Sequence, residues 1–183
     1  MTMIEIRWHG RGGQGVWTAS NLLATAALRE GKNVQSFPEF GPERSGAPVK
    51  AFTRISDEEI RLHCHVYNPD ISIVLDPTLI GVQNVAEGIK ENGVLLANTE
   101  KNPEQLRKEI NTKTKIITVP ATKIAVEILG KGITNTAMLG ALIKINPIVK
   151  LETLNQVIKE RFPGETGTKN IKVIEKVYKE VQK

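Results

Sequence analysis

The chain has 183 residues, 40% of them hydrophobic and 25% charged, with a formal net charge of +5 and one cysteine, Cys64. No apolar run reaches the roughly 18 residues that span a membrane, and "MTMIEIRWHG" leads straight into a strand rather than a signal peptide, so a cytoplasmic protein folding as one domain over 1–183 is expected. A lone cysteine has no disulfide partner and supplies too few ligands for an iron–sulfur cluster or a multi-cysteine zinc site, and aromatics at 4% do not provide the stacking surface of a nucleic-acid binder.

Residues 3 to 8 read as a strand, and Gln14 to Arg29 as a helix whose small face (Ala19, Ala24, Ala26, Ala27) suits close packing on a sheet. Gly31 ends it. "NVQSF" (33–37) is a second strand, followed by "PEFGPERSGAP", a loop with three prolines and two glycines. "VKAFTRI" (49–55) alternates like a half-buried strand, and "SDEE" turns it into "IRLHCHVY", which predicts an antiparallel hairpin over 49–67.

"DISIVLD", "GVLLAN" and "KIITV" have the apolar character of central parallel strands, with helical segments expected between them. Asn102 and Pro103 head a helix over 103–110. From Ala121 onward the pattern is helical. "KIAVEILG" closes on Gly130, "NTAMLGALIKIN" stops before Pro147, and apolar residues recur at helical spacing at Leu151, Leu154 and Ile158, then at Ile171, Ile174, Val177 and Val181. The small and apolar residues of "TNTAMLGALIKI" predict burial on more than one side, one side being a candidate subunit contact. The expected fold is an α/β three-layer sandwich with a mixed, mostly parallel sheet and a helical C-terminal region.

The segment that asks for chemistry is "HGRGGQG" (9–15). Gly10, Gly12 and Gly15 satisfy G-x-G-x-x-G between a strand and a helix, the dinucleotide fingerprint. The acid expected on the second strand is missing, however, and Val16 and Trp17 stand where a Walker A loop needs Lys and Ser/Thr. What remains is a backbone nest at a helix N-terminus that favours an anion, with Arg11 inside it, or a tight turn made for packing alone. In "HCH" (63–65) the histidines point to one face of a strand and Cys64 to the other, so they form no closed metal site. Asp76 sits at the carboxyl edge of a central strand, where α/β proteins bind ligands, or else it caps the next helix.

Three ordered segments, "GRGGQGV", "EFGPERSGAPVKAFTRIS" and "TNTAMLGAL", resemble the gamma subunit of the 2-oxoacid:ferredoxin oxidoreductases over nearly the whole chain. The pyruvate enzyme (pyruvate synthase) is closest and the 2-oxoisovalerate enzyme next. The resemblance implies a multi-subunit thiamine diphosphate enzyme that converts pyruvate and coenzyme A to acetyl-CoA and carbon dioxide while reducing ferredoxin. It further implies that thiamine diphosphate and magnesium lie on alpha and beta subunits and iron–sulfur clusters on a delta subunit, this chain holding none of them.

By position, Gly10, Gly12, Gly13, Gln14 and Gly15 match the family's glycine loop, Glu43 and Arg44 its acid–arginine pair, and Asn135 the asparagine heading the later helix. These residues, with Arg11, are the candidates for contact with coenzyme A. Phe40 and Ser45 stand where many relatives have Tyr and Gly. Two other readings compete: a self-sufficient NAD- or flavin-binding oxidoreductase, and a scaffold whose glycine loop meets only protein.

Overall fold

The computed structural model describes residues 3–39 and 45–181, so Phe40, Glu43 and Arg44 lie outside the described residues. Among these, six strands form one mixed sheet: β1 (Ile4–Arg11), β2 (Asn33–Glu39), β3 (Pro48–Ser56), β4 (Ile71–Val74), β5 (Val94–Asn98) and β6 (Lys115–Val119). Their order is β2-β3-β1-β4-β5-β6. β4, β5 and β6 extend the sheet from β1 by parallel pairing, whereas β3 pairs antiparallel with both β1 and β2. The helices are α1 (Val16–Arg29), α2 (Pro103–Ile110), α3 (Ala121–Leu129), α4 (Asn135–Ile145), α5 (Leu151–Arg161) and α6 (Glu165–Glu180).

Side-chain alternation divides the sheet into two unequal faces. Ile6, Trp8, Ala51, Ile55, Ile73, Leu96 and Ile117 point into the main core, which α1 and α3 to α6 cover. Trp8 is fully buried there and donates its Nε1–H to the Thr53 hydroxyl at 2.9 Å, as a buried indole must. Val74, Leu95, Ala97 and Ile116 point the other way, into a smaller cluster with Leu106 of α2. α2 starts at a complete capping box between Asn102 and Gln105, with Pro103 in its first turn.

Three expectations need correction. The hairpin is β2 with β3, not a hairpin over 49–67; residues 59–67 carry no strand. Their carbonyls are met instead by long side chains rising from the sheet: Gln35 reaches Ile60 and Leu62, Arg54 reaches His65, and Arg7 reaches Tyr67. Next, the passage from β4 to β5 contains only a short 3-10 turn, Pro77–Leu79, followed by a chain of turns and no α-helix. Finally, every residue of α4 from Asn135 to Ile143 is buried within this chain. Gly140 lets α6 approach so closely that a Cβ there would lie 2.5 Å from the Ile174 carbonyl oxygen. All sides of α4 are therefore core, and no face is left over for a subunit.

Candidate functional site

β1, β4 and β5 run parallel, so their carboxyl ends share one edge of the sheet, where α/β proteins bind ligands. The glycine turn lies there. Gly10 is glycine for packing, because a Cβ would meet Val16 Cγ2 at 2.5 Å and Gln14 Oε1 at 3.2 Å. Gly15 is glycine twice over. Its φ is +75°, and a Cβ would lie 2.5 Å from Asn135 Nδ2. Gly13 has φ +91°, and among the described residues only Ser45 Oγ lies within 4 Å of where its Cβ would be.

The turn's hydrogen bonds show which of its amides are spent. Gly12 donates to the Ala47 carbonyl at 2.9 Å, and Gly46 donates back to the Gly12 carbonyl at 3.2 Å. The described end of the second loop thus lies against the first. Arg11 N–H is taken by Gln14 Oε1 at 2.8 Å, and Gln14 N–H by the Arg11 carbonyl at 3.1 Å. Gly13, Val16 and Trp17 have amides with no hydrogen-bond partner among the described residues. The helix has no side-chain cap, and Gly13, Val16 and the half-exposed Trp17 line a cleft of about 390 Å³.

Arg11 does not stand free in this cleft. Its Nε and Nη2 donate to Thr78 Oγ1 at 3.0 and 2.8 Å, its Nη1 donates to the Gly46 carbonyl at 3.1 Å, and its Nε lies 3.4 Å from Asp76 Oδ2. Asp76 also accepts from Gln14 Nε2, at Oδ2, and from the Thr78 amide and hydroxyl, at Oδ1. Burial pushes the Asp76 carboxyl up, but the bonds from Thr78 and Gln14 and the charge of Arg11 outweigh it and hold the group below the usual carboxylate range. Both readings of Asp76 meet here: it caps the short turn Pro77–Leu79, and it supports the glycine turn.

Asn135 opens α4 beside Gly15, with its Oδ1 accepting from the Thr136 amide at 2.8 Å. The structure therefore gathers Gly10, Arg11, Gly12, Gly13, Gln14, Gly15 and Asn135 at one edge. Trp17 and Thr78 join them unannounced by any motif; only their distance of two residues from Gly15 and from Asp76 pointed to them. The "HCH" segment lies elsewhere, on the polar face of the sheet. There His65 stacks on Phe52 with ring centroids 5.0 Å apart, and Arg54 Nη2 approaches Cys64 Sγ at 3.7 Å. Among the described residues no three His, Cys, Asp or Glu come together as metal ligands, and no helix is long and apolar enough to cross a membrane.

Known proteins resemble the chain over nearly its whole length. The pyruvate/ketoisovalerate oxidoreductases common subunit gamma of Thermococcus kodakarensis is 52% identical over 177 residues, 96% of each chain. Pyruvate synthase subunit PorC of Methanothermobacter marburgensis is 49% identical over 180 residues, 98% of each. The crystal structure of the pyruvate oxidoreductase subunit PORC from Thermotoga maritima matches with a TM-score of 0.90 at 45% identity, over 100% of this chain and 98% of that one. With the pyruvate ferredoxin/flavodoxin oxidoreductase model matching residues 5–180 as well, the chain belongs to that family.

Proposed function

We propose that this chain is the gamma subunit of a cytoplasmic pyruvate:ferredoxin oxidoreductase, folding as one domain and inactive alone. The complex passes the acyl group left after decarboxylation of pyruvate to the thiol of coenzyme A and sends the electrons to ferredoxin. Thiamine diphosphate, magnesium and the iron–sulfur clusters belong to its alpha, beta and delta partners. The observation that carries this reading is the near end-to-end similarity to gamma and PorC subunits at about half identity.

This chain's own part is to help close the active site and hold coenzyme A at the glycine turn. Coenzyme A is a polyanion, and the turn supports contact with one through the amides of Gly13, Val16 and Trp17, which have no hydrogen-bond partner among the described residues, and through the positive end of the α1 dipole. Arg11 contributes from the rim, since each of its terminal nitrogens keeps one hydrogen outside the network described above. Asn135 packs beside the turn at Gly15. Glu43 and Arg44 enter the proposal by sequence position alone.

A second reading, favoured by the name of the Thermococcus relative, is that the subunit also serves a 2-oxoisovalerate enzyme. Purification of the native complex through this chain, followed by assays with pyruvate, 2-oxoisovalerate and 2-oxoglutarate, tests both. Pyruvate- and coenzyme A-dependent ferredoxin reduction is expected. A purified complex that turns over none of the three acids contradicts the assignment.

A further inference from the structure

The glycine turn is held from behind by a carboxylate that does not face the cleft. Gln14 lies between the two. Its amide can be oriented in only one way, because the Arg11 N–H can only donate and the ionised Asp76 can only accept. Oε1 therefore takes the Arg11 N–H, and Nε2 gives its hydrogen to Asp76 Oδ2. The other carboxylate oxygen is occupied by the amide and hydroxyl of Thr78. Asp76 is 7% exposed, so water is poorly placed to stand in for a lost partner. Through Gln14 the same carboxylate fixes the backbone of Arg11, and through the ion pair at 3.4 Å it fixes the Arg11 side chain.

We propose that Asp76, acting through Gln14, is the positioning residue that sets the glycine turn in the shape that receives coenzyme A. The inference rests on the proposed contact between that turn and coenzyme A. Asp76 and Gln14 work as a matched donor–acceptor pair, and the direction of the hydrogen bond between them can be reversed.

The reversal supplies the test. In the assembled complex, Gln14→Glu alone sets two carboxylates face to face. Asp76→Asn alone forces a donor against a donor, on either the Gln14 side or the Thr78 side. In the double variant the introduced asparagine donates to the introduced glutamate, which still accepts from the Arg11 N–H, while the asparagine oxygen still accepts from Thr78. The negative charge moves from position 76 to position 14, and only the 3.4 Å contact of Asp76 Oδ2 with Arg11 Nε, a partly exposed pair that contributes little, is not rebuilt.

Each single variant is expected to raise the coenzyme A KM by about tenfold, the size of one lost charge-assisted hydrogen bond, and by more than it changes kcat. The double variant should return to within about threefold of the wild type. Gly13→Ala, measured in parallel, perturbs the turn itself at a residue with φ +91°. If Gly13→Ala raises the coenzyme A KM while the single variants lower only the thermal midpoint, or if the double variant fails to recover, the positioning role is overturned and the coenzyme A contact stands. If neither Gly13→Ala nor the single variants move that KM, both fall together.

Discussion

Buried His9 makes the chain's stability depend on pH in a way that can be worked out from its surroundings. It is 1% exposed and sits on the polar face of β1. Arg7 Nε donates to its Nε2 at 3.1 Å, so the proton is on Nδ1, which faces Gln83 Oε1 at 3.3 Å. Burial first, then the positive charges of Arg7 and Lys50, disfavour the imidazolium, and with the opposing bond to Gln83 the pKa is lowered to about 3. An unfolded chain takes up that proton near pH 6.5. Between those two values the unfolded state binds one more proton than the folded state, so stability is full above about pH 6.5 and falls with acidification by about 1.4 kcal/mol per pH unit. At pH 5 the loss is about 2 kcal/mol.

His9→Gln keeps an acceptor for Arg7 and removes the titration. Urea unfolding of both proteins at pH 7.5 and pH 5, followed by the fluorescence of buried Trp8, isolates the His9 contribution because all other groups are common to the two chains. The wild type should lose about 2 kcal/mol more than His9→Gln over this interval. Equal losses would show that His9 is not held neutral by its surroundings.

Gly10→Ala should lower the thermal midpoint by several degrees, about 1–3 kcal/mol, because the new methyl group must displace Val16 and Gln14; an unchanged midpoint means the turn yields freely. Gly140→Ala drives a methyl group into the backbone of Ile174. It should cost about 2–3 kcal/mol in calorimetry and loosen the α4–α6 contact, seen as faster amide exchange in both helices. Asn98→Ala takes donors from the Leu75 carbonyl and Thr122 Oγ1 and an acceptor from the Thr122 amide. A loss of about 1–3 kcal/mol is expected in urea titration, and a smaller change would mean that water fills the gap.

Where local chemistry decides structure, the sequence was easily read. Asn102, Pro103 and Gln105 specify a helix start through contacts within four residues, and the glycines of 10–15 announce a turn between strand and helix. The family resemblance added Asn135, which touches Gly15 from 120 residues away, a contact that no local pattern contains. The misread strand at 60–67 shows the converse. Its alternation is real, but its backbone is satisfied by Arg7, Gln35 and Arg54, which sit on three other strands, and only the assembled sheet brings them there.

The sheet also separates this glycine turn from the dinucleotide fingerprint, whose second-strand acid the sequence already lacks. In that fold the second strand lies next to the first, whereas here β3 is inserted antiparallel between β1 and β2. A sequence shows the charge of Arg11 without its partner, because Asp76 lies 65 positions further on. The small residues of α4 suited a subunit contact as well as they suit α6, and Gly140 against Ile174 decides between the two.

The most direct measurement of the central claim is an add-back experiment. Alpha, beta and delta subunits purified without this chain are supplied with it, and pyruvate-driven ferredoxin reduction is followed as coenzyme A is titrated. The account predicts that coenzyme A-dependent reduction rises with added chain and saturates at one copy per set of partners, while the chain alone is inactive. Full coenzyme A-dependent activity without the chain, or an unchanged coenzyme A response after it has joined the complex, would contradict the account.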